Sequence, residues 1–266
     1  MVDSFHLSTA DLGALAFFIL VWVLYGQAAA GRLVKRTSLS TAMNAQRARW
    51  MQTMATREIR IVDTAIMGGL QQGTAFFASS SLIALGGCFA LLGASDQVLT
   101  VLAELPLSSS ASPAAFQMKV LGLMVILAHA FFKFGWAYRL FNYCTILIGA
   151  VPMVYGNAAD APEVQVAVAR ATRMNVLGGK HFNAGLRAIF FSIGYLGWFV
   201  NPAVFVLTTL WLLAVLVRRQ FFSQARWAVV ETLPLPGRGQ QRVDAAGSPV
   251  TDQTNPFADR ERGGLQ

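Results

Sequence analysis

His129 and Lys133 stand four residues apart within the apolar stretch Met118–Trp136, so they share one face of a helix. An ionisable group in hydrocarbon costs about 2.5–3.5 kcal/mol on insertion scales and therefore faces a cavity or a partner. Two readings follow. Lys133 snorkels to the inner surface while His129 bonds to a neighbouring helix. Alternatively both line an anion path, continued by Arg139 and Asn142, with Gln71, Gln72, Thr74, Ser79, Ser80 and Ser81 as neutral donors from a second apolar stretch.

Other chemistry lacks the residues it needs. The three histidines are His6, His129 and His181, and a zinc site from these would need Cys or carboxylate partners that the spans do not offer. A haem between two intramembrane histidines is excluded by number. Cys88 and Cys144 form neither a CxxC pair nor a disulfide framework. Gly178-Gly179-Lys180 lacks the upstream glycine and following hydroxyl of a phosphate loop, with His181 in the hydroxyl's place; the glycines are expected to end a helix. No catalytic residue, metal or cofactor is assigned. An enzyme acting on lipid would need an acid/base pair near the inner surface.

The elements that position these residues follow from composition. The 266-residue chain is 55% hydrophobic and 13% charged, with a mean hydropathy of +0.50. Soluble domains carry roughly 25% charged residues, so the expected class is an all-α polytopic membrane bundle of about four spans. Crossing about 30 Å of hydrocarbon takes roughly 20 apolar residues. The candidate spans are 11–30, 64–94, 118–138 and 188–217, within a membrane domain of residues 1–232. Ala28-Ala29-Ala30 imitates a signal-peptidase site, but residues 1–11 hold Asp3 and Asp11 and no Lys or Arg, which favours an uncleaved helix. Gly69/Gly73 and Gly86/Ala90 read as close helix packing. The apolar stretch through Pro152 overshoots a membrane and should project past its inner surface. Residues 188–217 form either one span kinked at Asn201-Pro202 or a hairpin, each half alone being too short to cross.

Charge sorts the spans. Segment 31–60 has seven Lys/Arg, segment 61–117 none and segment 139–187 five. Loops 31–63 and 139–187 are therefore expected in the cytoplasm, with the amino terminus outside. Four crossings would put the carboxyl-terminal tail outside, against its seven arginines from Arg218 onward. Residues 233–266 are polar and rich in Pro and Gly and read as disordered. Segment 41–62, with Met43, Trp50, Met54 and Ile61 on one stripe, lies on the inner leaflet or continues into the second span, which the lack of a breaker before Gly68 favours. Residues 163–175 read as a short amphipathic helix. The +8 net charge points to anionic lipid, not nucleic acid.

Several separated motifs carry a family resemblance. Arg47-Ala-Arg-Trp50-Met51, Arg57, Arg60-Ile-Val-Asp63, Ala75 to Ser81, Phe131 to Phe134, Trp136, Arg139 to Asn142, Lys180-His181-Phe-Asn183-Ala-Gly-Leu-Arg187 and Trp198 to Pro202 resemble the family called domain of unknown function 599, over about residues 10–230. The resemblance implies an integral membrane protein of bacteria, with plant relatives and about four spans, and carries over no activity. Arg47, Trp50, Arg57, Arg60, Asp63, Lys180, His181, Asn183 and Arg187 would then mark the cytoplasmic boundary. The expected function is an oligomeric channel or transporter-like protein for a small solute or anion in the bacterial inner membrane. The alternative is an accessory subunit docking a partner complex or anionic lipid.

Overall fold

The computed structural model describes residues 7–34, 36–103, 112–153 and 161–230. Among them the order is α1 (Thr9–Ala29), α2 (Leu39–Ala55), α3 (Ile61–Gly93), α4 (Ser95–Ala103), α5 (Pro113–Gly149), α6 (Pro162–Tyr195), a 3₁₀ turn (Leu196–Phe199), α7 (Pro202–Phe221) and α8 (Gln224–Val230), with no strand. The tail expected to be disordered lies outside the described residues. Local chemistry sets the helix starts. Ser8 and Asp11 form a capping box on α1, Ser38 caps α2, and Ser112 caps α5 with Pro113 in the first turn.

Of the two readings of residues 188–217 the structure has the hairpin and not the kinked span, because Pro202 begins a helix that folds back on the one before it: Asn201 Oδ1 accepts from the Val204 amide at 2.7 Å, and proline at the first helical position forfeits no bond. The upstream half closes the 34-residue α6, into which the expected 163–175 helix is absorbed. Gly178 and Gly179 sit mid-helix in α6 and end nothing. Segment 41–62 is not continuous with the second span. α2 stops at Ala55, and the chain reverses through residues 56–60 before α3.

Two clusters form the interior. The first packs α1, α5, α6 and α7 around Phe18, Phe191, Tyr195, Trp198 and Phe205; the Trp198 and Phe205 rings stack at 5.2 Å. The second joins α2, the start of α3, the end of α5 and the start of α6 around Met51, Met54, Met67, Phe141 and Ile148. Phe182 packs against both. Along α1, Asp11 meets Trp198, Phe18 meets Phe191 and Phe205, and Tyr25 approaches Leu216. Helix α1 therefore runs parallel to α7 and antiparallel to α6. The stretch of α6 from Asn183 to the turn at Trp198 covers the length of α1, since Ala29 and Asn183 line one cavity.

Four helical segments are long and apolar enough to cross a membrane: Thr9–Ala29, Ile61–Gly93, Pro113–Gly149 and Pro202–Val230. At 37 residues, α5 is about 55 Å long, so part of it exceeds the hydrocarbon layer. The outer faces are apolar, with Ile83 76%, Phe132 71% and Trp211 66% exposed, a surface suited to lipid and not to water. The molecule is an all-α membrane bundle extended by a helical head built on the second cluster. The α3 glycines do not serve close packing within the chain: Gly68, Gly69, Gly73, Gly86 and Gly87 have open space where a Cβ would stand. The tight approaches lie on α5 and α6, where Gly122 meets Tyr195, Gly178 meets Phe141 and Gly185 meets Phe134.

Candidate functional site

The residues marked as a boundary separate into two groups. The first fastens the head. Asp63, fully buried, accepts from Trp50 Nε1 at 2.7 Å and from Arg57 Nη1 at 2.5 Å, which folds the end of α2 onto the start of α3. Asp63 Oδ2 has no hydrogen-bond partner among the described residues. Arg60 donates to the carbonyls of Ile148, Val151 and Pro152, in the last turn of α5 and just past its end. Trp50, Arg57, Arg60 and Asp63 are thus fasteners.

The second group converges on a recess between α1, α2, α6 and α7. Lys180, Asn183 and Arg187 lie at three- and four-residue steps on one face of α6. Arg47 and Ser40 of α2 and Arg219 and Gln220 of α7 complete a cavity of about 320 Å³ with Asn183 and Arg187. An adjoining cavity of about 190 Å³ adds Arg32 and Lys180. Neither is lined by Asp or Glu. Of the five described carboxylates (Asp11, Glu58, Asp63, Asp96 and Glu163), Asp11 and Asp63 are engaged elsewhere.

Each arginine is held differently. Arg47 donates to Asn175 Oδ1 at 2.5 Å, and fully buried Asn175 is itself anchored on Met67 Sδ at 3.4 Å. Its guanidinium lies flat on Gly179, where a Cβ would come within 2.9 Å of Cζ. Burial lowers the Arg47 pKa, yet arginine stays protonated. Arg219 lies over the Phe190 ring at 5.6 Å. Arg187 makes no hydrogen bond or ion pair with a described residue. The walls are tied to one another: Gln220 donates to Ser40 at 2.9 Å within the lining, and Arg226 Nε donates to the Thr37 carbonyl at 2.7 Å beyond it.

The two halves of the expected anion path are not brought together. His129 meets Trp22 of α1 edge-on at 5.9 Å, and Lys133 is half-buried on the same face of α5. The His181 ring faces Trp136 at 6.4 Å, and its Nδ1 is buried without a hydrogen-bond partner among the described residues. Arg139 donates to Tyr143 at 2.6 Å and covers Trp136, and Asn142 is half-buried. On α3, Gln71 donates to Thr145 at 3.1 Å. Thr74, Ser80 and Ser81 donate to their own helix carbonyls four residues back, while Gln72 and Ser79 are exposed. Phe77, stacked on Phe134 at 5.5 Å, stands on the α3 side of α5.

Sequence reasoning missed a clasp at the opposite end of the bundle. Lys119, 3% exposed, donates to the Trp198 carbonyl at 2.9 Å and lies 3.6 Å from Asp11 Oδ1. Trp198 Nε1 donates to Asp11 at 2.6 Å, and Tyr195 donates to the Lys119 carbonyl at 3.0 Å. The available signal was a lone lysine opening a span that faces an otherwise unexplained Asp11 in another.

Fold and site define an integral membrane helix bundle with a basic, carboxylate-free recess at its head end. Over residues 13–225 the chain matches the family described as "Protein of unknown function, DUF599", and it belongs to that family. No curated protein and no solved structure matches it.

Proposed function

We propose that this chain binds an anion in the head-end recess, from the inner side of a bacterial inner membrane. One observation carries the reading: Arg47, Arg187 and Arg219 line a single cavity without a carboxylate. Gathered guanidinium groups repel one another unless an anion joins them, and charge-assisted bonds to arginine are the strong ones. Binding fits better than permeation through one chain. A path from the recess toward the Lys119 clasp meets the packed rings of Phe18, Phe191, Tyr195 and Phe205. Arg187→Gln in the full-length protein is expected to weaken anion binding about tenfold, the scale of one charged hydrogen bond, read by calorimetry in detergent. Unchanged affinity would refute the assignment.

The same reading orients the chain. Because α7 runs antiparallel to α6, Arg218 and Arg219 return to the end that carries Arg47, so all the arginine-rich segments share one side, as the positive-inside rule requires. Counting α6 as a fifth pass puts the amino terminus outside and residue 230 inside. A fluorescent protein fused after Val230 should therefore fluoresce and a periplasmic phosphatase fused there should stay inactive; the reverse pattern rejects this topology.

A second role, docking another copy or a membrane partner, is favoured by Ile59, Ile61 and Val62, which are 69%, 72% and 59% exposed at the head and not along the apolar bundle.

A further inference from the structure

Resting on the reading of the recess as an anion site, we infer that its occupant is the phosphate of an anionic phospholipid. The cavity is two-sided. Its cations gather where α1 ends, beside Ala29, whereas Tyr25, Leu186, Phe190 and Leu216 continue the wall along the apolar lengths of α1, α6 and α7. A small soluble anion keeps part of its hydration and gains nothing from that apolar wall. A lipid uses both halves, with phosphate on the arginines and the start of its acyl chains against Phe190 and Leu216. Asn183 and Ser40 add neutral partners for the ester and glycerol oxygens.

The charge pattern selects the headgroup. The ammonium of a zwitterionic lipid would meet Arg47, Arg187 and Arg219 with no carboxylate lining the cavity to receive it. A headgroup carrying net negative charge meets no such opposition. Arg47 is placed in advance by Asn175 and Gly179, so its rotamer freedom is already restricted before the ligand arrives.

The test uses the full-length chain, delipidated in mild detergent. Native mass spectrometry follows titration with phosphatidylglycerol, phosphatidylcholine or inorganic phosphate. One phosphatidylglycerol per chain should bind at least tenfold more tightly than phosphatidylcholine, with millimolar phosphate failing to displace it. Arg219→Gln, at an exposed position without buried polar partners, should lose most of that preference while remaining folded and monodisperse. Leu186→Ser, on the apolar wall and away from the Arg219 contact with Phe190, should weaken phosphatidylglycerol and leave phosphate unaffected. Saturable phosphate binding without a preference for the anionic lipid would overturn the lipid assignment and leave the anion site standing. Equal retention of both lipids with no phosphate binding would overturn the two together.

Discussion

Asp63→Ala will unfasten the head from the bundle and lower the unfolding free energy by about 2–4 kcal/mol. The magnitude follows from what is left behind. Asp63 is fully buried and receives both the Trp50 indole and the Arg57 guanidinium; its loss strands a half-buried cation and an indole N–H together. Arg57 retains 37% side-chain exposure, so water recovers part of the cost and the estimate stays below that for a wholly enclosed pair. Asp63→Asn keeps an acceptor without the charge and should fall between. Trp50→Phe removes one donor and should cost about 1–2 kcal/mol. The measurement is the thermal midpoint in detergent, paired with proteolysis of the 56–60 link. An Asp63→Ala protein as stable as the parent, with that link still protected, would refute the fastening role.

Gly185→Leu will prevent α5 from seating on α6. Even a Cβ at residue 185 would stand 2.7 Å from Phe134 Cε1, with two more ring atoms within 2.9 Å. Phe134 cannot yield, because it is fully buried between the rings of Phe77 and Phe182. Overpacking of this kind costs about 1–3 kcal/mol for modest additions. Gly185→Ala should sit in that range, and leucine should abolish monodisperse protein. Gly69→Ala is the contrasting case: it also lies within a long helix but has no neighbour within 4 Å. It should be neutral or stabilising by up to about 1 kcal/mol from helix propensity alone. Equal behaviour of the Gly69 and Gly185 alanine variants would contradict the packing described here.

The contrast also marks how far residue type carries. Glycines at small-residue spacing on α3 look like packing sites, and a glycine pair before Lys180 looks like a helix end. The decisive fact is which ring or guanidinium crosses each position, and that comes from another helix. The arginines behave likewise. Arg47, Arg57 and Arg60 stand in one basic run, yet one enters the recess, one bonds Asp63 and one caps α5. Pro202 was legible as an interruption. Whether it kinks a helix or begins one turned on the Asn201 cap and on the length of helix upstream.

Amphiphilic patterning along the chain determined by itself that this is an all-α membrane protein and where its helices are apolar, because transfer into hydrocarbon is close to a sum over residues. The tertiary structure alone decided that α6 runs beside α1 and that Arg187 and Arg219 meet Arg47, because such meetings depend on contacts between residues more than a hundred positions apart, which no local period encodes. It also decided that Lys119 is a clasp, since a buried lysine is tolerable only where a carboxylate and a carbonyl converge on it from other helices.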